Sequence, residues 1–217
     1  AKDAPLTAGF QALLPEIVAQ TRSENAEIRV RALHSLEPLG SGLVAKSVPL
    51  AAANDNVVFV RWTAARILGS FAPAKPTDGA GTEEISALAQ LVNDNDVDVR
   101  TSALSALQLY KTAGQGASSS ILAALNRGDP EPRLVAMKTL EVVKIDAASG
   151  VPALLTALQA DDIRIVREAA AVLGRYGPSA KQAVPALREL SKSTDAELRI
   201  TAAEAILAIE KLPAKAN

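Results

Sequence analysis

The sequence predicts an all-α protein, a solenoid of about six helical hairpins, and three observations predict it. The stretch Asp96-Val97-Asp98-Val99-Arg100-Thr101-Ser102-Ala103-Leu104-Ser105-Ala106-Leu107 recurs in close copies along the chain. With Arg100 as zero, the slot holds Arg29, Arg61, Arg100, Arg133, Val166 and Arg199, at spacings of 32, 39, 33, 33 and 33 residues. A fixed period in the range of roughly 20–50 residues marks stacked units, none of which can bury its apolar face alone. An alanine follows every slot by three residues (Ala32, Ala64, Ala103, Ala136, Ala169, Ala202) and a large aliphatic by seven (Leu36, Leu68, Leu107, Leu140, Leu173, Ile206). Finally, the apolar content is mostly Ala, Leu and Val, with only 3% aromatics. Small side chains let helix axes approach closely, and alanine has the best helix propensity.

Residues 1–9 read as a disordered lead-in and 10–212 as one array. Unit one, about 10–40, pairs the apolar segment Phe10–Ala19 with Asn25–Leu39, both at helical spacing, across a turn from Thr21 to Glu24. Unit two, 43–71, has Asn54-Asp55-Asn56 between its helices. The Pro/Gly-rich run 72–81 explains the long spacing, and because the period then resumes it reads as a surface loop, not a domain boundary. Units three to six occupy about 82–110, 116–143, 150–176 and 179–212, and 213–217 form a tail.

Asn25, Asp96, Asp129, Asp162 and Asp195 stand four residues before their slots. Such side chains accept from the free N–H groups of a helix N-terminus, so each is expected to start the second helix of its hairpin. Unit two has Val57 there and must cap through Asp55 or Asn56. Gly174 and Gly177, followed by Pro178, are expected to end the fifth second helix. Pro15, Pro49, Pro152 and Pro185 lie in first helices, tolerated near a start and kinking further in.

A net charge of −1 gives no overall attraction to nucleic acid or anionic membrane. The absence of cysteine removes disulfides, thiolate metal sites and cysteine nucleophiles together. No apolar run approaches the roughly 20 residues of a membrane span, and the N-terminus lacks the layout of a signal peptide. Ala1-Lys2-Asp3-Ala4-Pro5 would suit a mature exported chain or an excised piece equally, so a cytoplasmic and an exported location both stay open.

At 100° per residue, offsets −1, +3, +7 and +10 share the core side, leaving +1, +5 and +8 as the opposite ridge. Row +1 reads Val30, Trp62, Thr101, Leu134, Arg167, Ile200; row +5 reads His34, Arg66, Ser105, Lys138, Ala171, Glu204; row +8 reads Glu37, Gly69, Gln108, Glu141, Gly174, Leu207. Four large apolar residues in row +1 would be explained by a groove for a peptide, a helix or a protein surface, or by curvature that half-buries the row. Val30, Trp62, Arg66, Leu134, Lys138 and Ile200 are the candidate partner-binding residues. Trp62 with Arg66 one turn on is the best single contact, since both types anchor interfaces, although an arginine stacked on a surface tryptophan fits equally. His34, the sole histidine, with Glu37 on the same face offers too few ligands for a metal and no nucleophile for a general base. Neither a phosphate-binding glycine loop nor a nucleophile elbow is present, so no catalytic residue, metal or cofactor is expected.

The pattern Asp-x-Asp/Glu-Val/Ile-Arg-x-x-Ala-x-x-x-Leu, preceded by Val-Pro-Ala-Leu at 151–154 and 184–187, resembles HEAT repeats. The short period is most similar to the PBS-lyase HEAT-like subgroup. Thr-Pro-Leu-His turns of ankyrin and the Trp, Gly and Tyr positions of tetratricopeptide repeats are not found. The resemblance implies a right-handed superhelix whose second helices line the concave side, and an Asp–Arg ladder between neighbouring hairpins. Carried over, the ladder comprises Asn25/Arg29, Asp96/Arg100, Asp129/Arg133 and Asp195/Arg199, with Val57 and Val166 breaking the pattern in units two and five. It also implies a non-catalytic scaffold for a protein or peptide. A bilin-lyase-like enzyme subunit is the alternative, and a nucleic-acid-binding array the third. The HEAT-repeat hydroxylase that binds iron through several His-Glu pairs cannot be built from one histidine.

Overall fold

The computed structural model describes residues 8–74 and 81–211, and every regular element among them is helical. Of the lead-in expected over 1–9, residues 1–7 lie outside the described residues, as do 75–80 of the loop and 212 with the tail, while Ala8 and Gly9 already belong to the first helix. Two compact units meet in sequence at Tyr110 and Lys111, so the division does not fall at the Pro/Gly-rich run.

The first unit contains α1 (Ala8–Gln20), α2 (Ala26–Leu36), α3 (Gly40–Leu43), α4 (Ser47–Ala52), α5 (Val58–Ser70), α6 (Thr82–Leu91) and α7 (Val97–Leu109). α1/α2, α4/α5 and α6/α7 are its hairpins. The segment expected to separate units one and two is itself helical, as a 3-10 turn at Glu37–Leu39 followed by α3. In the second unit a 3-10 segment (Lys111–Ala117) leads into α8 (Ser118–Ala124) and α9 (Pro130–Val143). α10 (Ala147–Ala157) pairs with α11 (Ile163–Arg175), and a 3-10 segment (Gly177–Ala183) leads into α12 (Val184–Leu190) and α13 (Ala196–Glu210).

The caps lie where the spacing places them. Asn25 accepts from the Glu27 N–H at 2.9 Å, Asp96 from Asp98 and Val99, Asp162 from Arg164, and Asp195 from Leu198 at 2.7 Å. Asp129 holds the cap position without a side-chain cap bond, and Pro130 behind it fills a site where a missing N–H costs little. In unit two Val57 is the cap residue, and Asp55 accepts its N–H at 2.8 Å. The alanines at +3 are all buried, as are the aliphatics at +7 except the half-exposed Ile206. Pro15 and Pro152 lie inside α1 and α10, whereas Pro185 takes a first-turn position in α12.

Row +8 does not form part of an outward ridge at its glycines. Gly69 and Gly174 are buried where one second helix crosses the next. A methyl on Gly69 would stand 3.1 Å from Ala106 Cβ, and one on Gly174 would stand 2.9 Å from the backbone Cα of Ala205. Gly174 is therefore a packing residue. α11 runs past it to Arg175, and the ending belongs to Gly177, whose φ of +58° suits a residue without Cβ.

The ladder exists, with other acids than the capping ones. Arg29 donates through Nε and Nη2 to both carboxylate oxygens of Asp55, at 2.7 and 2.9 Å, and Arg61 does the same to Asp94 at 2.6 and 2.9 Å. Each arginine thus reaches the acid six residues before the next slot, at the centre of an Asn-Asp-Asn turn. Nη1 of the same arginines turns back to their own loops, Arg29 to the Ser23 and Glu24 carbonyls and Arg61 to that of Asp55. Unit two, where the cap position holds Val57, therefore takes part on both sides. Beyond Asp94 the −6 positions are Arg127, Ala160 and Ser193, and the arrangement changes. Arg100 bonds the Asp94 and Asn95 carbonyls, Arg133 that of Leu125, and Arg199 those of Ser193 and Thr194. At Val166 the neighbouring Arg167 substitutes, bonding Asp195 at 3.4 Å and also Glu197 of the next hairpin.

Burial pushes the Asp55 and Asp94 carboxyls up, but the hydrogen bonds and charges of Arg29 and Arg61 outweigh it and hold both below the ordinary range. A carboxylate depressed in the fold stabilises at pH above its unfolded value of about 4, and that contribution is lost as pH falls through the depressed value. Urea midpoints should drop on acidification from about pH 6 to about pH 3, and an Asp55→Asn, Asp94→Asn protein should be weaker at pH 6 with a flatter profile. Equal slopes for the two proteins would remove the ladder as the source. At the crossing, Gly174→Ala should cost about 1–3 kcal/mol, since the backbone it meets cannot swing aside and the clash exceeds the gain in propensity of about 1 kcal/mol. Gly42→Ala, with nothing within 4 Å of the new methyl, is the control that should lose no stability in the same thermal melts.

Candidate interaction surface

On the outward side of α5, Trp62 lies half-buried with the guanidinium carbon of Arg66 4.6 Å from its ring centroid. An arginine on a tryptophan face gains about 0.5–1 kcal/mol when exposed, too little to order the long side chain firmly. Glu37 supplies the rest: at the end of α2 it bonds Arg66 Nη2 at 2.6 Å while its side chain is only 19% exposed. Its other oxygen lies 3.5 Å from His34 Nδ1. Against the tryptophan stands Phe59, edge-on at 6.1 Å and 73°, and 64% exposed. The first unit thus carries a solvent-facing aromatic pair, one ring of which is covered by a cation tied down from the neighbouring helix.

In the second unit, Leu134 and Lys138 border a hollow with Glu141, Glu168 and Arg175. Arg175 bridges the two glutamates, reaching Glu168 at 2.7 Å and Glu141 more closely. Beside it is a recess of about 220 Å³ lined by Leu140, Glu141, Lys144, Ile145, Val172, Arg175 and Tyr176. Burial pushes the Tyr176 hydroxyl up to about 12, so it stays protonated and donates to the Ile145 carbonyl at 2.7 Å. The recess has an apolar floor, and Glu141 and Arg175 on its rim are paired with each other.

Of the four apolar residues in row +1, Val30, Trp62 and Leu134 are half-buried, and Ile200 alone is fully open at 59%. Trp62 and Arg66 touch, and Leu134 and Lys138 share one hollow; the two groups belong to different units. Phe59 was not among the expected residues. Its signal lay in offset −2, where the other copies read Glu27, Asp98, Glu131, Arg164 and Glu197, so an aromatic stands in an otherwise charged column. Among the described residues no group of three or more His, Cys, Asp or Glu could hold a metal, and no helix is long and apolar enough to cross a membrane.

The sequence profile of HEAT repeats matches residues 14–108 and 118–209. Computationally designed armadillo repeat proteins for modular peptide recognition superpose with a TM-score of 0.63 at 18% identity, over 90% of this chain and 99% of theirs. A designed armadillo repeat protein in complex with the peptide (KR)4 gives 0.61 at 17%, over 90% and 99%. The complex of CpcE and CpcF of phycocyanin lyase from Nostoc sp. gives 0.56 at 18%, over 96% and 79%. At such identities the likeness is one of fold. No curated protein matches the chain in sequence.

Trp62 is the sole tryptophan, so its fluorescence reads this cluster directly. Arg66→Ala should raise acrylamide quenching with the helical circular dichroism unchanged, and Glu37→Gln should raise it by less. Quenching equal to the wild type in Arg66→Ala would mean that the guanidinium does not cover the ring in solution.

Proposed function

Because the chain belongs to the HEAT-repeat family, we propose that it acts as a non-catalytic scaffold, holding a protein or peptide segment on the outward side of its second helices. The observation that carries this reading is the exposed Phe59 beside Trp62, with Arg66 clamped by Glu37. Aromatic side chains and arginine supply most anchors in protein interfaces, and an arginine already fixed in place loses little freedom on binding. The register between hairpins adds a chemical preference. Arg167 at +1 meets Glu197 at −2 of the following hairpin, and the corresponding positions in α5 and α7 are Trp62 and Asp98. An apolar side chain on the aromatic pair with a basic one toward Asp98 is the segment this cluster fits. A designed armadillo neighbour bound to (KR)4 fits the same direction at the level of fold.

Two other functions have less support. A bilin-lyase-like subunit rests on likeness of fold to phycocyanin lyase, and a free bilin added without a spectral shift would remove it. Nucleic-acid binding is disfavoured because Arg66, Arg167 and Arg175 are all neutralised by glutamate or aspartate. Salt-sensitive retention on heparin would reverse that judgement.

An array of short peptides pairing an apolar with a basic residue, read against scrambled and acidic counterparts, tests the proposal. Binding should fall by about tenfold or more in Phe59→Ala and in Trp62→Ala, and little in a Leu134→Ala, Lys138→Ala protein. If all three proteins bind the same peptides equally, the aromatic cluster is not the site.

A further inference from the structure

The outer face of α13 is unlike that of any second helix followed by another in its own unit. Position +4 is fully buried in α2, α5, α9 and α11 (Leu33, Ala65, Met137, Ala170), because the next hairpin covers it. In α13 the same position, Ala203, is exposed, Ile206 is half-exposed, and Ile200 and Leu207 stand open at 59% and 65%. Arg199 completes the picture. Arg199, like Arg133 within the array, bonds only carbonyls, and it meets no carboxylate among the described residues. The apolar stripe is the surface that a following hairpin covers elsewhere, and beside it stands a guanidinium with no acid, with nothing among the described residues on the other side.

We propose that a second copy of this chain occupies this face, through antiparallel pairing of α13 with its equivalent about a two-fold axis. The face is self-complementary in that arrangement. With Ala203 on the axis, the small side chains let the helices approach, and Ile200 lies against the partner's Leu207. Arg199 then comes within reach of the partner's Glu210, which supplies a carboxylate as Asp55 and Asp94 do for Arg29 and Arg61. Glu210 now bonds Arg188 at 2.9 Å in an exposed pair, from which it can be shared. The N-terminal face of the first hairpin is a poorer match, because it presents Arg31, Ser35 and the Arg31–Glu27 pair. One helix face buries less than the roughly 800 Å² per partner of a standard interface, so the dimer is weak, with a dissociation constant on the order of 10–100 μM.

Sedimentation equilibrium over about 10 μM to 1 mM should show the mass rising from 22.5 kDa toward twice that value. Leu207→Glu and Ala203→Arg should stay monomeric with unchanged circular dichroism. Arg199→Glu and Glu210→Arg should each weaken association about tenfold, and the two together should restore it. Leu13→Glu, at an exposed residue of α1, should associate as the wild type does. A wild type that stays at 22.5 kDa throughout overturns the proposal, as does association that survives Leu207→Glu or is lost in Leu13→Glu. Peptide binding at Trp62 is independent of this face and should be retained in Leu207→Glu, so the two proposals fail separately.

Discussion

A two-helix hairpin rich in Ala, Leu and Val has apolar surface on more sides than its own pair of helices can cover. Every other feature of the protein follows from the need to cover it with a neighbour of the same kind. The alanines at +3 let each second helix sit close to its own first helix. Where another hairpin follows in the same unit it buries the residues at +4 and +7, and Gly69 and Gly174 let two second helices approach until backbone nearly meets side chain. Stability in such a stack is a sum of hairpin terms and interface terms, so each interface must be specified as carefully as a core.

The guanidinium slot provides that specification in the first unit. A planar fork can serve two masters at once: Nη1 fastens the turn of its own hairpin, and Nε with Nη2 clamps the acid of the next. One side chain therefore fixes the shape of a loop and the register of an interface together. Burial works against the charges, with Asp94 only 9% exposed, yet the paired geometry keeps both acids ionised. In the second unit the −6 acids are absent and the work passes to peripheral pairs, Arg164 with Glu131 and Arg167 with Asp195 and Glu197.

What could be read from the sequence divides along the same physical line. Helix starts and core positions depend on residues within one turn of each other, so a cap such as Asp96 or an alanine such as Ala103 shows itself in a single copy and is confirmed by the others. The ladder acids depend on a contact between copies. Asp55 and Asp94 share the Asn-Asp-Asn turn, but only the folded register shows that Arg29 and Arg61 reach forward to them, and the capping residues were credited with their part. Gly174 misled for a related reason: glycine near a helix end signals termination locally, and its actual use, passage of Ala205, lies 31 residues away. Trp62 and Arg66 were legible as a pair because they stand one turn apart. Glu37, which fixes Arg66, belongs to another hairpin, and the sequence spacing ties it directly only to His34.

The positions free to carry function are those that the stack does not consume. At offset −2 the hairpins of the second unit use charges to bind one another, Glu131 to Arg164 and Arg167 to Glu197. Phe59 in the same column forgoes any such pair and leaves nearly two thirds of its surface in water. It therefore adds little to the interface that its column serves elsewhere. Its neighbour Trp62 is supported from beneath by packing and from above by an arginine that Glu37 holds still. A rigid aromatic platform with one ring exposed is a costly arrangement for solubility and of small use to folding. The proposed binding of a peptide segment would account for both properties, and equally for the lone column position in which charge was given up.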